Sequence, residues 1–312
     1  MFKYQNGPVN VTIYDDGTKI REWDDIKYGI TPKLEFPESF DCKITNKCSG
    51  VECIFCHENS TPNGSHGDLK KLNELIEKSN LPTGIEIAIG GGNPCEHPDL
   101  TWFLKESKKR GHIINMTMNY RHIDSNGKFR YQVLYYLLAG LIKGLGISVR
   151  SDNINKFLED TELQEASSNI VLHIIEGINQ YTDISNNLYN CNWKNPKVLI
   201  LGYKCFGRAL RCVEPKVSTE IWKNNIKEFV KTFKGVVSFD NLAIKRLNIL
   251  NQFPKEIIDK NYMGEDGTHT MYIDMVSEKY AKQSTSEQRK SINNLNLREM
   301  YIDIFEHRND LL

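Results

Sequence analysis

Apolar strand-like segments alternate with helix-like segments through the middle of this 312-residue chain, and this order constrains the fold more than any other feature. Segments such as IEIAI, NIVLHII and KVLIL are apolar throughout, which is typical of strands buried on both faces. Six strands are predicted, at residues 39–45, 85–89, 113–118, 145–150, 169–175 and 197–201. Because strands separated by helices or long crossovers pair in parallel, the sequence predicts an α/β fold with a parallel sheet.

The segments around this alternation divide the chain into three regions. A β-hairpin is predicted over residues 9–22, where VNVTIY and TKIRE flank the turn signal Asp15-Asp16-Gly17. Helices are predicted around residues 69–76 and at residues 98–110, 129–143, 153–160, 219–233, 241–250 and 296–307. A strand is predicted at 235–239, a hairpin at 268–285 and an Asn-rich connection at 179–192. The predicted domains are an N-terminal β-hairpin extension (1–35), a core (36–212) and a C-terminal α/β extension (213–312).

The charged residues balance, with 40 Lys and Arg against 40 Asp and Glu. A formal net charge of zero provides no global attraction to nucleic acid or to an anionic membrane. No apolar run approaches the ~20 residues that span a bilayer, and the N-terminus MFKYQNGPVN lacks the basic and apolar regions of a secretory signal. We therefore expect a cytoplasmic protein, in which the eight cysteines do not form a disulfide framework.

Three cysteines lie on the loop that follows the first parallel strand. Cys48, Cys53 and Cys56 have the spacing C-x4-C-x2-C. Closely spaced cysteines can direct their thiolates to a common iron–sulfur cluster, and a cluster with three protein ligands leaves one iron open for chemistry. The alternative is a structural zinc site that also uses Cys42, because four thiolates are a common closed ligand set for zinc.

Strand alternation argues against Cys42 as a ligand. Cys42 shares one face of the first parallel strand with Phe40 and Ile44 and is therefore predicted to be a small core residue. Zinc ribbons also usually present two C-x2-C pairs, whereas this loop has one. The loop by itself favours the cluster and leaves the zinc site open.

The cysteine loop resembles that of the radical S-adenosylmethionine (radical SAM) superfamily. In that family a first strand leads into three cysteines spaced C-x3-C-x2-C, usually with an aromatic residue before the last, and Phe55 occupies that position. This loop carries one extra residue between its first two cysteines, which an exposed turn at Gly50 can absorb. The resemblance covers residues 36–205 and implies a partial (β/α)6 TIM-like barrel.

A glycine-rich segment after the second parallel strand resembles the Gly-Gly-Glu-Pro segment of the same family. It reads Gly90-Gly91-Gly92-Asn93-Pro94, with Asn93 where the family usually has glutamate. The resemblance implies that its main chain receives the amino group of the methionine moiety. The resemblance also implies cofactor contacts from later strand ends, at Asn119, Ser148, Arg150, Glu176 and Tyr203. The carboxyl ends of parallel strands gather at one rim, where ligands bind.

The resemblance implies an enzyme that holds a [4Fe-4S] cluster on Cys48, Cys53 and Cys56 and binds S-adenosylmethionine (SAM) at the open iron. Reductive cleavage of SAM would yield a 5′-deoxyadenosyl radical that abstracts hydrogen from a substrate. An external donor such as flavodoxin or ferredoxin would supply the electron. No motif identifies the substrate, which is a peptide, a nucleotide or a small metabolite. The alternative function is that of a zinc-stabilised binding module without catalysis.

The remaining cysteines near the sixth parallel strand match no compact ligand pattern. Cys191, Cys205 and Cys212 are separated by thirteen and six residues. They are therefore predicted to be buried thiols, with a second cluster as the alternative. Lys204 and Arg208 make this segment locally basic, which fits either a substrate anion or a solvated charged face.

Overall fold

The computed structural model of the protein describes residues 1–15, 17–24, 32–50, 53–212 and 216–307. Its N-terminal part is an antiparallel three-stranded sheet of β1 (Phe2–Asn6), β2 (Val9–Ile13) and β3 (Lys19–Glu22). The predicted hairpin corresponds to β2 and β3, and β1 is an additional strand. Asp16 of the predicted turn lies outside the described residues.

Six parallel strands form the centre of the molecule and pair in chain order. They are β4 (Ser39–Thr45), β5 (Glu86–Gly91), β6 (Ile113–Asn119), β7 (Gly144–Ser148), β8 (Ile170–Ile175) and β9 (Lys197–Leu201). The predicted α/β fold with a partial six-stranded barrel is therefore confirmed. All six carboxyl ends lie at one rim of the barrel, because parallel strands share one direction.

Helices connect these strands and pack their apolar faces against the sheet. They are α1 (Leu69–Lys78), α2 (Leu100–Lys109), α3 (Arg130–Leu138), α4 (Ile154–Leu158), α5 (Thr161–Glu165) and α6 (Tyr181–Tyr189). The Asn-rich connection at 179–192, for which no element was predicted, contains α6. The helix was missed because its apolar pattern, the buried pair Ile184 and Leu188 at helical spacing, is short and surrounded by asparagines. The helix also packs against the C-terminal extension, where Tyr181 contacts Trp222 edge-on.

The C-terminal extension adds strands to both edges of the six-stranded sheet. It contains α7 (Lys216–Thr232), β10 (Val236–Phe239), α8 (Asn241–Arg246), α9 (Lys255–Asn261), β11 (Thr270–Asp274), β12 (Lys279–Ala281), β13 (Lys290–Ser291) and α10 (Leu297–Glu306). Strand β10 pairs in parallel with β9, and β11 pairs in parallel with β4. Helix α9 was not predicted because it buries no residue and so carries no apolar stripe.

Strand β4 separates the core from the barrel interior. Cys42 is buried between Phe40 and Ile44 in the hydrophobic core, as the alternation predicts. Asp41, Cys42 and Lys43 all contribute to the lining of the barrel interior. Among the described residues, no helix combines the length and the apolar character that crossing a bilayer requires.

Candidate functional site

A cavity of about 920 Å³ occupies the barrel interior and reaches the rim. Its volume is within the range of small-molecule sites. Ten of the thirteen predicted site residues line it: Cys48, Cys53, Cys56, Gly90, Gly91, Gly92, Asn93, Asn119, Ser148 and Arg150. The structure thus brings the cysteine loop and the glycine segment to one space. The other three, Pro94, Glu176 and Tyr203, are buried residues outside the lining.

The cysteine loop is short and held by main-chain hydrogen bonds. The Cys48 N–H donates to the Thr61 carbonyl oxygen at 2.9 Å, and the Cys56 N–H donates to the Cys53 carbonyl oxygen at 3.1 Å. Burial, reinforced by the neighbouring thiols, raises the pKa of Cys48 to about 12, and burial also raises the pKa of Cys53. These thiols therefore release protons when a metal or cluster binds. Val51 and Glu52 of this loop lie outside the described residues.

Two side chains from the rim approach the cysteine sulfurs. Asn119 Nδ2 lies 3.5 Å from Cys53 Sγ, and His122 Nε2 lies 3.5 Å from Cys48 Sγ. Groups at this position can hydrogen-bond to sulfur ligands and so tune an iron–sulfur cluster. His122 was not predicted, because its 3-10 helix after β6 carries no motif that marks it.

The thiols fit a cluster better than a single zinc ion. Cys42 is buried in the hydrophobic core on β4, although it also belongs to the cavity lining. Across the described ranges, no three His, Cys, Asp or Glu side chains converge as ligands of one metal ion. A tetrahedral zinc site needs four ligands around one atom. A [4Fe-4S] cluster places each cysteine on a different iron and accepts more widely separated thiolates.

Glycines bring the end of β5 against the cysteine loop. A Cβ on Gly91 would lie 2.3 Å from the Thr45 carbonyl oxygen, and one on Gly92 would lie 2.1 Å from the Lys47 carbonyl oxygen. Gly91 also has a φ of +106°, which side chains other than glycine rarely adopt. By contrast, a Cβ on Gly90 would meet no atom within 4 Å, so this position leaves free space in the cavity lining.

Asn93 presents a hydrogen-bond donor to this space. Its Oδ1 accepts from the Cys95 N–H at 3.1 Å, which caps the following 3-10 helix. Its Nδ2 is buried and has no partner among the described residues, although Asn93 lines the cavity. A buried unpaired donor costs about 1–3 kcal/mol, which a ligand acceptor can recover. The free atom therefore suits a carboxylate more than an ammonium group.

Arg150 and Asn179 extend the lining beyond β7 and β8. The Arg150 guanidinium lies 5.7 Å from the ring centroid of Phe55, so the end of β7 contacts the cysteine loop through a cation–π interaction. The Asn179 Nδ2 donates to the Val149 carbonyl oxygen at 3.3 Å. Its buried Oδ1 has no partner within the part of the chain that the structure describes. Asn179 was not predicted, because an asparagine in an Asn-rich connection carries no distinguishing signal.

Glu176 and Tyr203 have structural partners. The Glu176 carboxylate accepts from the Tyr203 N–H at 3.1 Å and from Thr219 Oγ1 at 2.6 Å, and it pairs with Arg246. The Tyr203 hydroxyl donates to the Ala209 carbonyl oxygen at 2.8 Å. These residues therefore support the loop after β9 from behind the cavity wall.

Four polar residues that were not predicted also line the cavity: Asp41, His173, Lys204 and Asp240. We call these four residues the polar far wall. Burial and the charge of Lys204 lower the pKa of His173 to about 4, so its imidazole is neutral near pH 7. Burial raises the pKa of Asp41 and of Asp240. His173 lies within the apolar strand segment NIVLHII, and a polar residue there is the one signal that could have revealed this wall.

The interpretation of the three later cysteines as buried thiols is wrong for Cys205, which is exposed. Cys191 and Cys212 are half-buried, and the Cys191 thiol donates to the Leu188 carbonyl oxygen at 3.2 Å. Cys205 is exposed because it lies on the rim loop after β9, before a 3-10 helix.

Several solved structures share this fold. Streptococcus suis SuiB bound to S-adenosylmethionine matches with a TM-score of 0.60 and 11% identity, over 89% of this chain and 68% of SuiB. SuiB bound to the precursor peptide SuiA matches with a TM-score of 0.59 and 12% identity, over 90% of this chain and 66% of SuiB. Native anSMEcpe with bound AdoMet and Cp18Cys peptide matches with a TM-score of 0.50 and 9% identity, over 84% of this chain and 80% of anSMEcpe. No protein-family model and no curated protein matches the sequence.

Proposed function

The chain has the fold of the radical SAM enzymes, and on that premise we propose that it binds a [4Fe-4S] cluster and SAM and cleaves SAM reductively. One observation carries this proposal: the three closely spaced cysteines and the glycine segment line the same cavity at the carboxyl ends of parallel strands. Cys48, Cys53 and Cys56 would hold the cluster. When bound and reduced, the cluster supplies the electron that cleaves SAM to methionine and a 5′-deoxyadenosyl radical.

The remaining predicted residues would orient SAM. Gly90 leaves space for the methionine moiety, and Asn93 Nδ2 can donate to its carboxylate. Arg150, held on Phe55, offers a guanidinium that suits the same carboxylate, and Ser148 lies two residues before it. Asn119, whose Nδ2 lies 3.5 Å from Cys53 Sγ, would contact SAM beside the cluster. Pro94, Glu176 and Tyr203 would support these positions from behind.

We propose that the substrate occupies the side of the cavity that is lined by the polar far wall. Asp41 and Asp240 provide carboxyl groups there, Lys204 provides an amino group, and His173 provides a neutral imidazole. Apolar strand residues such as Leu199 line the same space and limit access of water to a reactive intermediate. An external donor such as flavodoxin or ferredoxin would deliver the electron. The peptides bound by SuiB and anSMEcpe make peptides the first substrate class to test, before nucleotides and small metabolites.

Anaerobic reconstitution with iron and sulfide tests the proposal. The loaded protein should contain iron and acid-labile sulfide, and with dithionite and SAM it should form 5′-deoxyadenosine. The variant that replaces Cys48, Cys53 and Cys56 with alanine should do neither, whereas Cys42→Ala should retain both. A zinc-stabilised binding module would instead contain zinc without sulfide. Failure of the wild type to form 5′-deoxyadenosine with an intact cluster and bound SAM would contradict the proposal.

A further inference from the structure

The loop after β9 contacts the cysteine loop through one residue of its 3-10 helix, Gly207–Arg211. Arg208 Nε donates to the Cys53 carbonyl oxygen at 3.2 Å, and Nη1 donates to the Ser60 carbonyl oxygen at 2.7 Å. The Arg208 main-chain N–H donates to the Cys56 carbonyl oxygen at 3.1 Å. A single residue therefore holds the cysteine loop at three points, and its side-chain bonds join positions 148 and 155 residues apart.

The residue before Arg208 permits this close approach. Gly207 has a φ of +55°, and a Cβ at this position would lie 2.6 Å from the His57 carbonyl oxygen and 2.9 Å from that of Cys56. Both oxygens belong to the main chain, so they cannot move away without distorting the cysteine loop. Only glycine allows the two loops to lie this close.

The 3-10 helix that carries Arg208 is anchored behind the cavity wall. The Tyr203 hydroxyl binds the Ala209 carbonyl oxygen, and the Tyr203 N–H binds the buried carboxylate of Glu176. Glu176 is in turn bound by Thr219 and Arg246. Arg208 is therefore presented from a fixed support, as a residue that orients a neighbouring loop requires.

Arg208 also places a positive charge beside the sulfurs. It lines the cavity together with Cys48 and Cys53. Its Nε bonds to the main chain of Cys53 itself, so the guanidinium lies beside the residues that would hold the cluster. A guanidinium remains charged at any pH that the folded protein tolerates. A positive charge beside a cluster favours the more negative, reduced form of that cluster.

Resting on the proposed function, we propose that Arg208 is a positioning residue for the cluster. Its hydrogen bonds hold the cysteine loop in the ligand-binding conformation, and its charge makes the bound cluster easier to reduce. Arginine suits both roles, because one rigid fork donates to two carbonyl oxygens and keeps its charge. Lysine can supply the charge without the fork, and glutamine can supply one donor without the charge.

Hydrogen exchange of the protein without a cluster tests the hydrogen-bonding role. Arg208→Lys and Arg208→Gln should each raise amide exchange over residues 53–61 at least tenfold. The matched control is Arg211→Gln, which changes an exposed arginine on the same 3-10 helix and should leave exchange unchanged. Equal exchange in all four proteins would overturn this role. This measurement needs no cluster, so it stands even if the proposed function fails.

A redox titration of the reconstituted protein, followed by electron paramagnetic resonance, tests the role of the charge. Arg208→Gln should lower the equilibrium constant for cluster reduction at least tenfold, whereas Arg208→Lys should stay within threefold of the wild type. A merely structural residue would not separate these two variants. Equal constants for Arg208→Gln and the wild type would overturn this role. A wild type that binds no cluster would instead contradict the proposed function. Far-ultraviolet circular dichroism checks that each variant is folded. If Arg208→Gln is unfolded, amide exchange in Arg208→Lys alone tests the hydrogen-bonding role.

Discussion

Two buried polar groups at opposite ends of the barrel, Glu38 at the amino end and Asn93 at the carboxyl end, differ in their partners. At the amino end the buried Glu38 carboxylate accepts a hydrogen bond from Arg21 Nε at 2.9 Å. It also forms ion pairs with Arg21 Nη2 at 2.6 Å and with Lys19 Nζ at 3.7 Å. Against the opposing effect of burial, His269 and Arg21 hold the pKa of Glu38 at about 2. At the carboxyl end, Asn93 Nδ2 is buried without a partner among the described residues.

This difference separates stability from ligand binding. A buried charge with good partners holds the fold together, and removing one partner is costly. A buried donor without a partner is a cost that only a ligand recovers. Removing a well-partnered buried group such as Glu38 should therefore lower the free energy of unfolding. Changing a position with free space or an unpaired donor in the cavity lining, such as Gly90 or Asn93, should lower cofactor binding in a protein that remains stable.

The largest expected effect is the loss of iron on changing a rim cysteine. Cys48→Ala should reduce bound iron and sulfide to less than about a tenth of the wild-type content, because two thiolates do not retain the cluster. Cys42→Ala, a change of a core thiol, should keep full iron content. Metal and sulfide analysis after anaerobic reconstitution measures both. Full iron content in Cys48→Ala would break the distinction between the two ends.

The next effect concerns the amino end. Glu38→Gln should lower the free energy of unfolding by about 4 kcal/mol, because it leaves buried cationic groups without their carboxylate. Urea unfolding at neutral pH measures the loss. Glu35→Gln is the control, since its side chain is exposed and its contact with Arg298 is 3.8 Å long. It should change the free energy of unfolding by no more than about 0.5 kcal/mol. Weaker SAM binding by folded Glu38→Gln protein would count against the separation.

His173, midway between the two ends, should make stability depend on pH. Its folded pKa of about 4 is below the ordinary value of 6.5, so the unfolded chain binds this proton first as the pH falls. The free energy of unfolding should therefore fall between pH 6.5 and pH 4, by about 2 to 3 kcal/mol from this group. His173→Gln should remove that part of the loss, as measured by urea unfolding across the range. His307→Gln changes an exposed histidine and is the control. An unchanged slope in His173→Gln would refute the assignment.

The smallest effect compares two neighbouring glycines. Gly90→Ala should leave the free energy of unfolding within about 0.5 kcal/mol, because its Cβ meets no atom, but it should weaken SAM binding about tenfold by filling the cofactor space. Gly92→Ala should instead destabilise the protein by about 2 kcal/mol, because its Cβ would collide with the Lys47 carbonyl oxygen. Calorimetric binding and urea unfolding separate these outcomes. Equal SAM affinity in Gly90→Ala and the wild type would remove Gly90 from the site.

The parts of the molecule that could be predicted are those with local signals. Apolar segments revealed the six parallel strands, and cysteine spacing revealed the loop that carries the candidate ligands. The helix α6 was missed because two buried residues in an Asn-rich segment give too weak a pattern. The contacts of Arg208 and His122 with the cysteine loop could not be predicted, because they join residues far apart in sequence. The orientation of Asn93 depends on a cap that forms only in the folded turn.

The placement of β10 and β11 has a consequence for how the molecule is assembled. A nascent chain that reaches only residue 212 would carry a six-stranded sheet with bare main-chain groups along both β4 and β9. Bare edges of this kind invite pairing with other chains. Strands β10 and β11 cover these edges and, among the described strands, leave β10, of four residues, and β13, of two, at the outside of the sheet. Protection against self-association therefore arrives after residues 236–291 have been made.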